Sequence, residues 1–222
     1  MKIAFYFTTK GANAEETLAY KSLSRLNDID VYYDANNKEG LSVMYNLILK
    51  EHLNDFDYIV FLHDDVYVDD LGVCDKLIKA HTQFDIVGLA GGVNPIIKAP
   101  ALWHLMCGGF RSNNLHGAVT HPCSKDQIMV TNFGPTPARV AILDGLFLSV
   151  KTKSVKETGW KFNENYNFHH YDIASCIDAN KKKLRLGVAP IWVMHNSPGL
   201  LSFEDKNFNA SQEKFLKEYS IH

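Results

Sequence analysis

Three consecutive polar residues, His63-Asp64-Asp65, close the apolar run Tyr58-Ile59-Val60-Phe61-Leu62. A run this short, bounded this way, predicts a strand covered on both faces of a sheet rather than a helix. Two adjacent carboxylates at the end of a buried strand repel each other and lose hydration. A divalent cation removes both penalties. Open α/β sheets bind ligands beyond the carboxyl ends of their strands, so this end is a candidate site for a metal and a phosphate. The plainer reading of Asp64 and Asp65 is a solvated loop after a strand.

Other groups fall at matching places. Thr8-Thr9, Asp34 with Asn36, and His195-Asn196-Ser197 each follow an expected strand, so a parallel sheet could gather them at one edge. Asp65 and Asp64 with the distant His195 suit Mn²⁺ or Mg²⁺ and leave positions open for phosphate oxygens. Taken alone, His195 reads more simply as a histidine satisfied at a strand end. Asp34 could accept a hydrogen bond from a pyrimidine N–H, or form an Asx-turn with Asn36. Asp144 lies within the apolar stretch Val140 to Leu148, where a buried acid needs a partner, functional or structural. His169-His170-Tyr171-Asp172 opens an expected helix and sets a carboxylate near its positive end. Asp172 could cap that helix or act as a general base.

The elements that must position these groups alternate. Lys2 to Thr8, Asp30 to Tyr33, Tyr58 to His63 and Ile86 to Ala90 read as strands. Glu15 to Leu26, Leu41 to Leu53 and Leu71 to His81 read as helices. This predicts an α/β fold with a mostly parallel central sheet flanked by helices. From Val93 to Pro137 the pattern breaks, with only short strand-like runs such as Gln127 to Asn132. A small antiparallel excursion or a flap is expected there. Ala138 to Val150 returns as a strand, Asp172 to Lys183 as a helix, Leu186 to Val193 as a strand and Gln212 to Tyr219 as a helix. Trp103-His104 could stack on a sugar or pack as core or lid. Lys181-Lys182-Lys183 reads as the solvated end of a helix.

Composition excludes some classes. Of 222 residues, 46% are hydrophobic and 22% charged, with net charge −2, which gives no general attraction to nucleic acid or anionic membrane. The first residues are too short and polar-flanked for a signal peptide, and no apolar run reaches the roughly 20 residues that cross a bilayer. Cys74, Cys107, Cys123 and Cys176 lack CxxC spacing and read as reduced, buried thiols of a cytoplasmic protein.

Four stretches, in order, resemble the GT-A fold nucleotide-sugar glycosyltransferases of the family-2-like group. They are Leu41 to Asn46 with the helix it opens; Phe61-Leu62-His63-Asp64-Asp65-Val66, similar to the Asp-x-Asp strand end in a His-x-Asp variant; Leu143-Asp144-Gly145-Leu146-Phe147-Leu148; and Gly159-Trp160-Lys161-Phe162 through His170-Tyr171-Asp172 to Leu186-Gly187-Val188-Ala189-Pro190 and His195. The resemblance implies a single Rossmann-like GT-A domain over 1–222, with a nucleotide-binding half at 1–92 and a donor-sugar and acceptor half at 93–222. It implies that Asp65 and His195 ligate Mn²⁺ or Mg²⁺, with Asp64 on the metal or the ribose. Thr8, Thr9, Asp34, Asn36, Asn46, His63 and Gly145 would line the nucleotide-sugar site. Asp144 and Asp172 would be the catalytic acids, Asp172 as the general base of an inverting reaction. The donor implied is a nucleoside diphosphate sugar, a UDP-sugar such as UDP-glucose being favoured, and the acceptor a hydroxyl. Tyr171 departs from the family, which has Glu there. Two other readings stand beside this one: a nucleotidyltransferase, and a nucleotide-sugar or glycan binding module without turnover.

Overall fold

The computed structural model describes residues 1–124, 127–197 and 204–220. The strands are β1 (Ile3–Thr8), β2 (Asp30–Asp34), β3 (Tyr58–Leu62), β4 (Val66–Val68), β5 (Ile86–Gly88), β6 (Ala90–Gly92), β7 (Leu115–Ser124), β8 (Gln127–Gly134), β9 (Ala138–Val140), β10 (Ile142–Leu143), β11 (Phe147–Lys151), β12 (Leu186–Val188) and β13 (Val193–His195). The helices are α1 (Leu18–Leu23), α2 (Leu41–His52), α3 (Val73–Ala80), α4 (Trp103–Met106), α5 (Thr152–Thr158), α6 (Tyr171–Lys181) and α7 (Lys206–Tyr219).

Seven strands form the main sheet in the order β2-β1-β3-β11-β5-β12-β9, and a second sheet runs β10-β6-β7-β13-β4 with β8 paired to β7. The first strands follow the expected alternation. β1 lies parallel to both β2 and β3, and every residue of β1 and β3 is buried. The expectation of a mostly parallel sheet is corrected. β11 runs antiparallel to both β3 and β5, and β9 antiparallel to β12, so the sheet is mixed. Parallel neighbours are joined by a crossover of a dozen or more residues, usually helical; β11 instead enters the main sheet from β10 of the second sheet, through only Asp144-Gly145-Leu146, and not by a helical crossover from β3 or β5.

Several apolar stretches expected as single strands are divided between the sheets. β5 belongs to the main sheet and β6 to the second, with Leu89 at the crossing; Ala138 to Val150 becomes β9, β10 and β11; Leu186 to Val193 breaks before β13. β7 passes so close to Leu89 that a Cβ on Gly117 would stand 2.0 Å from the Leu89 carbonyl oxygen, and Gly117 also has φ +108°. The expected antiparallel excursion is the β7–β8 hairpin, with Thr120 opposite Val130. Helix α1 is shorter than expected, because Thr17 caps it at Tyr20 N and ends the preceding turn at Ala14–Glu16.

One crossing positions the chemistry. The chain leaves the main sheet after Leu62, turns through His63-Asp64-Asp65, and enters the second sheet at Val66. There β4 pairs antiparallel with β13 in a register that sets Val66 opposite His195, and Asn196 N donates to Asp65 O at 3.0 Å. Backbone pairing therefore brings His195 to Asp65 across 130 residues of sequence.

Candidate active site

A cavity of about 1030 Å³ opens where these elements meet. Thr8 and Thr9, the turn at 63–65, the turn at 144–146, the start of α6 and His195 all line it. Among the described residues, His63, Asp65 and His195 form a group whose ligating atoms lie within 4.8 Å of one another. His195 Nε2 stands 3.2 Å from Asp65 Oδ1. That oxygen is buried and accepts no aligned hydrogen bond. Burial pushes the Asp65 carboxyl up, but the His195 and His63 imidazoles outweigh it and hold the group below its ordinary value. Burial opposes charge on His195, and Asp65 overcomes it, raising the imidazole. Burial, then His195, lowers His63.

One carboxylate and two imidazoles, with a buried carboxylate oxygen paired to His195 but accepting no aligned hydrogen bond, are a donor set that fits a divalent transition metal and leaves positions free for other oxygens. The metal group expected from sequence changes in membership. Asp65 and His195 are in it, His63 joins them, and the Asp64 carboxylate lies outside it although Asp64 lines the same cavity.

A second pair of acids faces the cavity. The turn after β10 carries Asp144, whose Oδ2 accepts from Trp103 Nε1 at 2.9 Å and whose Oδ1 accepts from Leu146 N at 3.3 Å. Asp172 lies in the first turn of α6. Its Oδ2 accepts from Gly145 N at 2.9 Å and its Oδ1 from Ile173 N at 2.8 Å. Burial, reinforced by the Asp144 charge, pushes the Asp172 carboxyl up to about 7. A base poised near neutrality is what proton abstraction from a hydroxyl needs. Asp172 is not the N-cap: His170 holds that place with φ +64°.

The nucleotide residues expected from sequence divide. Thr8, Thr9, His63, Asp64 and Gly145 line the cavity. Asp34, Asn36 and Asn46 do not. Asp34 is exposed, and its Oδ2 accepts from Tyr6 OH at 2.8 Å. Asn36, at φ +55°, turns the chain, its N–H bonded to Gly11 O at 2.9 Å. Asn46 is spent on α2's neighbour: its Nδ2 donates to Phe162 O at 2.9 Å and to Glu164 Oε1 at 2.8 Å, and its Oδ1 accepts from Phe162 N at 2.9 Å. In their stead Lys10, Asn37 and Lys38 line that end. An Asx or Lys following a strand is common, so sequence offered no signal to single them out.

An aromatic wall was also missed. Trp103 is 7% exposed and serves Asp144, so it is not a free stacking face. Phe110 is 65% exposed, stacks on Phe133 at 5.8 Å and meets His104 at 4.8 Å; all three line the cavity. Of the cysteines, Cys107 and Cys176 are buried as expected, but Cys123 is exposed and Cys74 partly so.

Residues 27–219 match the family described as "Glycosyltransferase like family". The chain belongs to this family. No curated protein sequence matches it. Solved structures do. A197 from STIV aligns with TM-score 0.51 at 15% identity, covering 86% of this chain and 82% of that one. S. aureus TarS 1-349 in complex with UDP aligns with TM-score 0.50 at 12% identity, over 89% of this chain and 61% of that one. Its complex with UDP-GlcNAc gives TM-score 0.50 at 12% identity, over 100% and 68%. The chain spans 39% of the longer TarS structure. These likenesses establish a shared fold for this glycosyltransferase-like chain. No helix among its described residues is long and apolar enough to cross a membrane.

Proposed function

We propose that this chain transfers a hexose from a nucleoside diphosphate sugar, a UDP-sugar by preference, to a hydroxyl acceptor, with inversion at the anomeric carbon. The observation that carries the reading is that the His63, Asp65 and His195 cluster and Asp172 line one cavity. At about 1030 Å³ it is at the top of the usual range for ligand pockets, roughly 300–1,000 Å³, which suits a donor and part of an acceptor together. Family membership supports the reaction class. That TarS, which shares the fold, is held with UDP and UDP-GlcNAc supports the donor class.

His63, Asp65 and His195 would hold Mn²⁺ or Mg²⁺, and two imidazoles favour Mn²⁺. The ion supplies charge neutralisation for the departing diphosphate. Asp172 takes the acceptor hydroxyl proton; its two backbone hydrogen bonds fix the carboxylate and leave lone pairs for that proton. Asp144 holds the Trp103 ring and the 144–146 turn in place. Lys10 and Lys38 bring positive charge to the cavity, and Phe110 offers an apolar face on which a sugar ring can stack. The four unpaired cysteines suit a reducing cytoplasm.

Release of UDP from a panel of UDP-sugars, with Mn²⁺ and with or without glycan acceptors, tests the reading. Acceptor-stimulated UDP release and an inverted product anomer by NMR are expected. Pyrophosphate release would instead make the chain a nucleotidyltransferase, and tight donor binding without turnover would make it a binding module.

A further inference from the structure

We infer that Tyr171 is a positioning residue: it decides which nitrogen of His63 faces a cation and ties that choice to the loop holding Asp172. The inference rests on the metal reading of the site. Tyr171 is buried and its hydroxyl has one proton. The Gly145 carbonyl oxygen, 2.7 Å away, can only accept, so the proton goes there. His63 Nε2 lies 3.0 Å from the same phenolic oxygen. With the hydroxyl proton already committed, the phenol can only accept from the imidazole, so Nε2 carries the hydrogen. A neutral imidazole ligates through its unprotonated nitrogen, which leaves Nδ1 for the ion. This is the arrangement by which metal-binding histidines are oriented: the far N–H is donated to a fixed acceptor.

The rest of the local structure is built round this contact. A Cβ on Gly145 would stand 2.5 Å from the Tyr171 oxygen, so only glycine leaves room for the phenol. The His63 main chain is fastened to the same loop, its N–H donating to Leu146 O at 3.1 Å. Gly145 N in turn donates to Asp172 Oδ2. One phenol thus links the imidazole, the 144–146 turn and the base. A hydroxyl in this place accepts from the imidazole and donates to the carbonyl, which an ionised carboxylate cannot do.

Side-chain ¹⁵N NMR of the metal-free protein tests this directly, with His63 signals assigned by their loss in His63→Ala. The wild type should show the Nε2–H form of His63, and Tyr171→Phe a mixture of tautomers. Mn²⁺ titration followed by electron paramagnetic resonance should show Tyr171→Phe binding roughly 10–100-fold more weakly, with no further loss when Tyr171→Phe is added to His63→Ala. An Nδ1–H form in the wild type overturns the inference without any variant at Tyr171. So does unchanged Mn²⁺ affinity in Tyr171→Phe, or losses that multiply in the double variant, which mark a general structural role. A wild type that binds no Mn²⁺ removes the metal reading and this inference with it. Weakened affinity in His63→Ala but not in Tyr171→Phe removes the inference alone.

Discussion

If Asp172 is the general base, its protonation state must govern the rate. With its carboxyl at about 7, roughly one molecule in ten is ionised one unit below and about nine in ten one unit above, so kcat/KM rises about tenfold from pH 6 to pH 8. The assay is UDP release at low donor and saturating Mn²⁺, conditions that keep His63 and His195 from adding their own titrations. Asp144→Asn removes the neighbouring charge that helps raise Asp172. Its side-chain oxygen can still accept from Trp103, so the midpoint should move toward lower pH while the shape persists. Asp172→Asn should lose roughly 10²–10⁴-fold in rate, and the remaining activity should be flat with pH. Stability carries the same signature. A carboxyl raised in the folded state binds its proton more tightly there. Its contribution is therefore complete below the ordinary value of 3.8 and is lost as pH rises through about 7. The metal-free protein should accordingly lose melting temperature across that window by a component that Asp172→Asn lacks. A kcat/KM that is constant or falling from pH 6 to pH 8, or Asp172→Asn within tenfold of wild type, would refute the assignment.

Asp65→Ala should abolish Mn²⁺-dependent UDP release while keeping the wild-type circular dichroism. Mn²⁺ at about 100 times its Kd should stabilise the wild type by roughly 2.7 kcal/mol in thermal unfolding and leave this variant unmoved. Phe110→Ala should raise the KM for a glycan acceptor by about fivefold, near the 1 kcal/mol of a ring-stacking contact, with donor KM unchanged; equal acceptor kinetics would clear the aromatic wall of a role. Asn46→Ala should cost about 1–3 kcal/mol in urea unfolding, because it leaves the Phe162 N–H and C=O without their partner, yet UDP-sugar affinity should hold; a selective loss of donor affinity would return Asn46 to the nucleotide site.

The apolar run ending in His63-Asp64-Asp65 could be read from sequence because a doubly buried strand leaves a strong pattern and ends abruptly in charge. The convergence of His195 on that end is expected from sequence on the ground that a parallel sheet gathers its strand ends; the structure achieves it differently, by pairing β13 antiparallel with β4 in the second sheet. Which side chains meet could not be read from sequence. His63 and Asp65 join the cluster while Asp64 does not, and that depends on how the turn between β3 and β4 aims three adjacent groups. The mixed sheet was hidden for a different reason. An apolar run says that a segment is buried, not that it changes sheets within it, as the chain does at Leu89 and between β10 and β11. Asp34 and Asn46 lie outside the cavity lining and bond Tyr6 and Phe162; a polar residue after a strand or within a helix serves such a neighbour as readily as a ligand, and sequence does not tell the two apart.

The turn at 63–65 is also where the chain passes from the main sheet to the second, and His195 reaches it from β13, the neighbour of β4 in that second sheet. An ion held there would act as a rivet through a seam. Loading it should slow amide hydrogen exchange along β4 and β13 as well as at the ligands themselves, and stripping it should let the two sheets part first at that stitch. Occupancy would then be as much a mechanical property of the molecule as a chemical one.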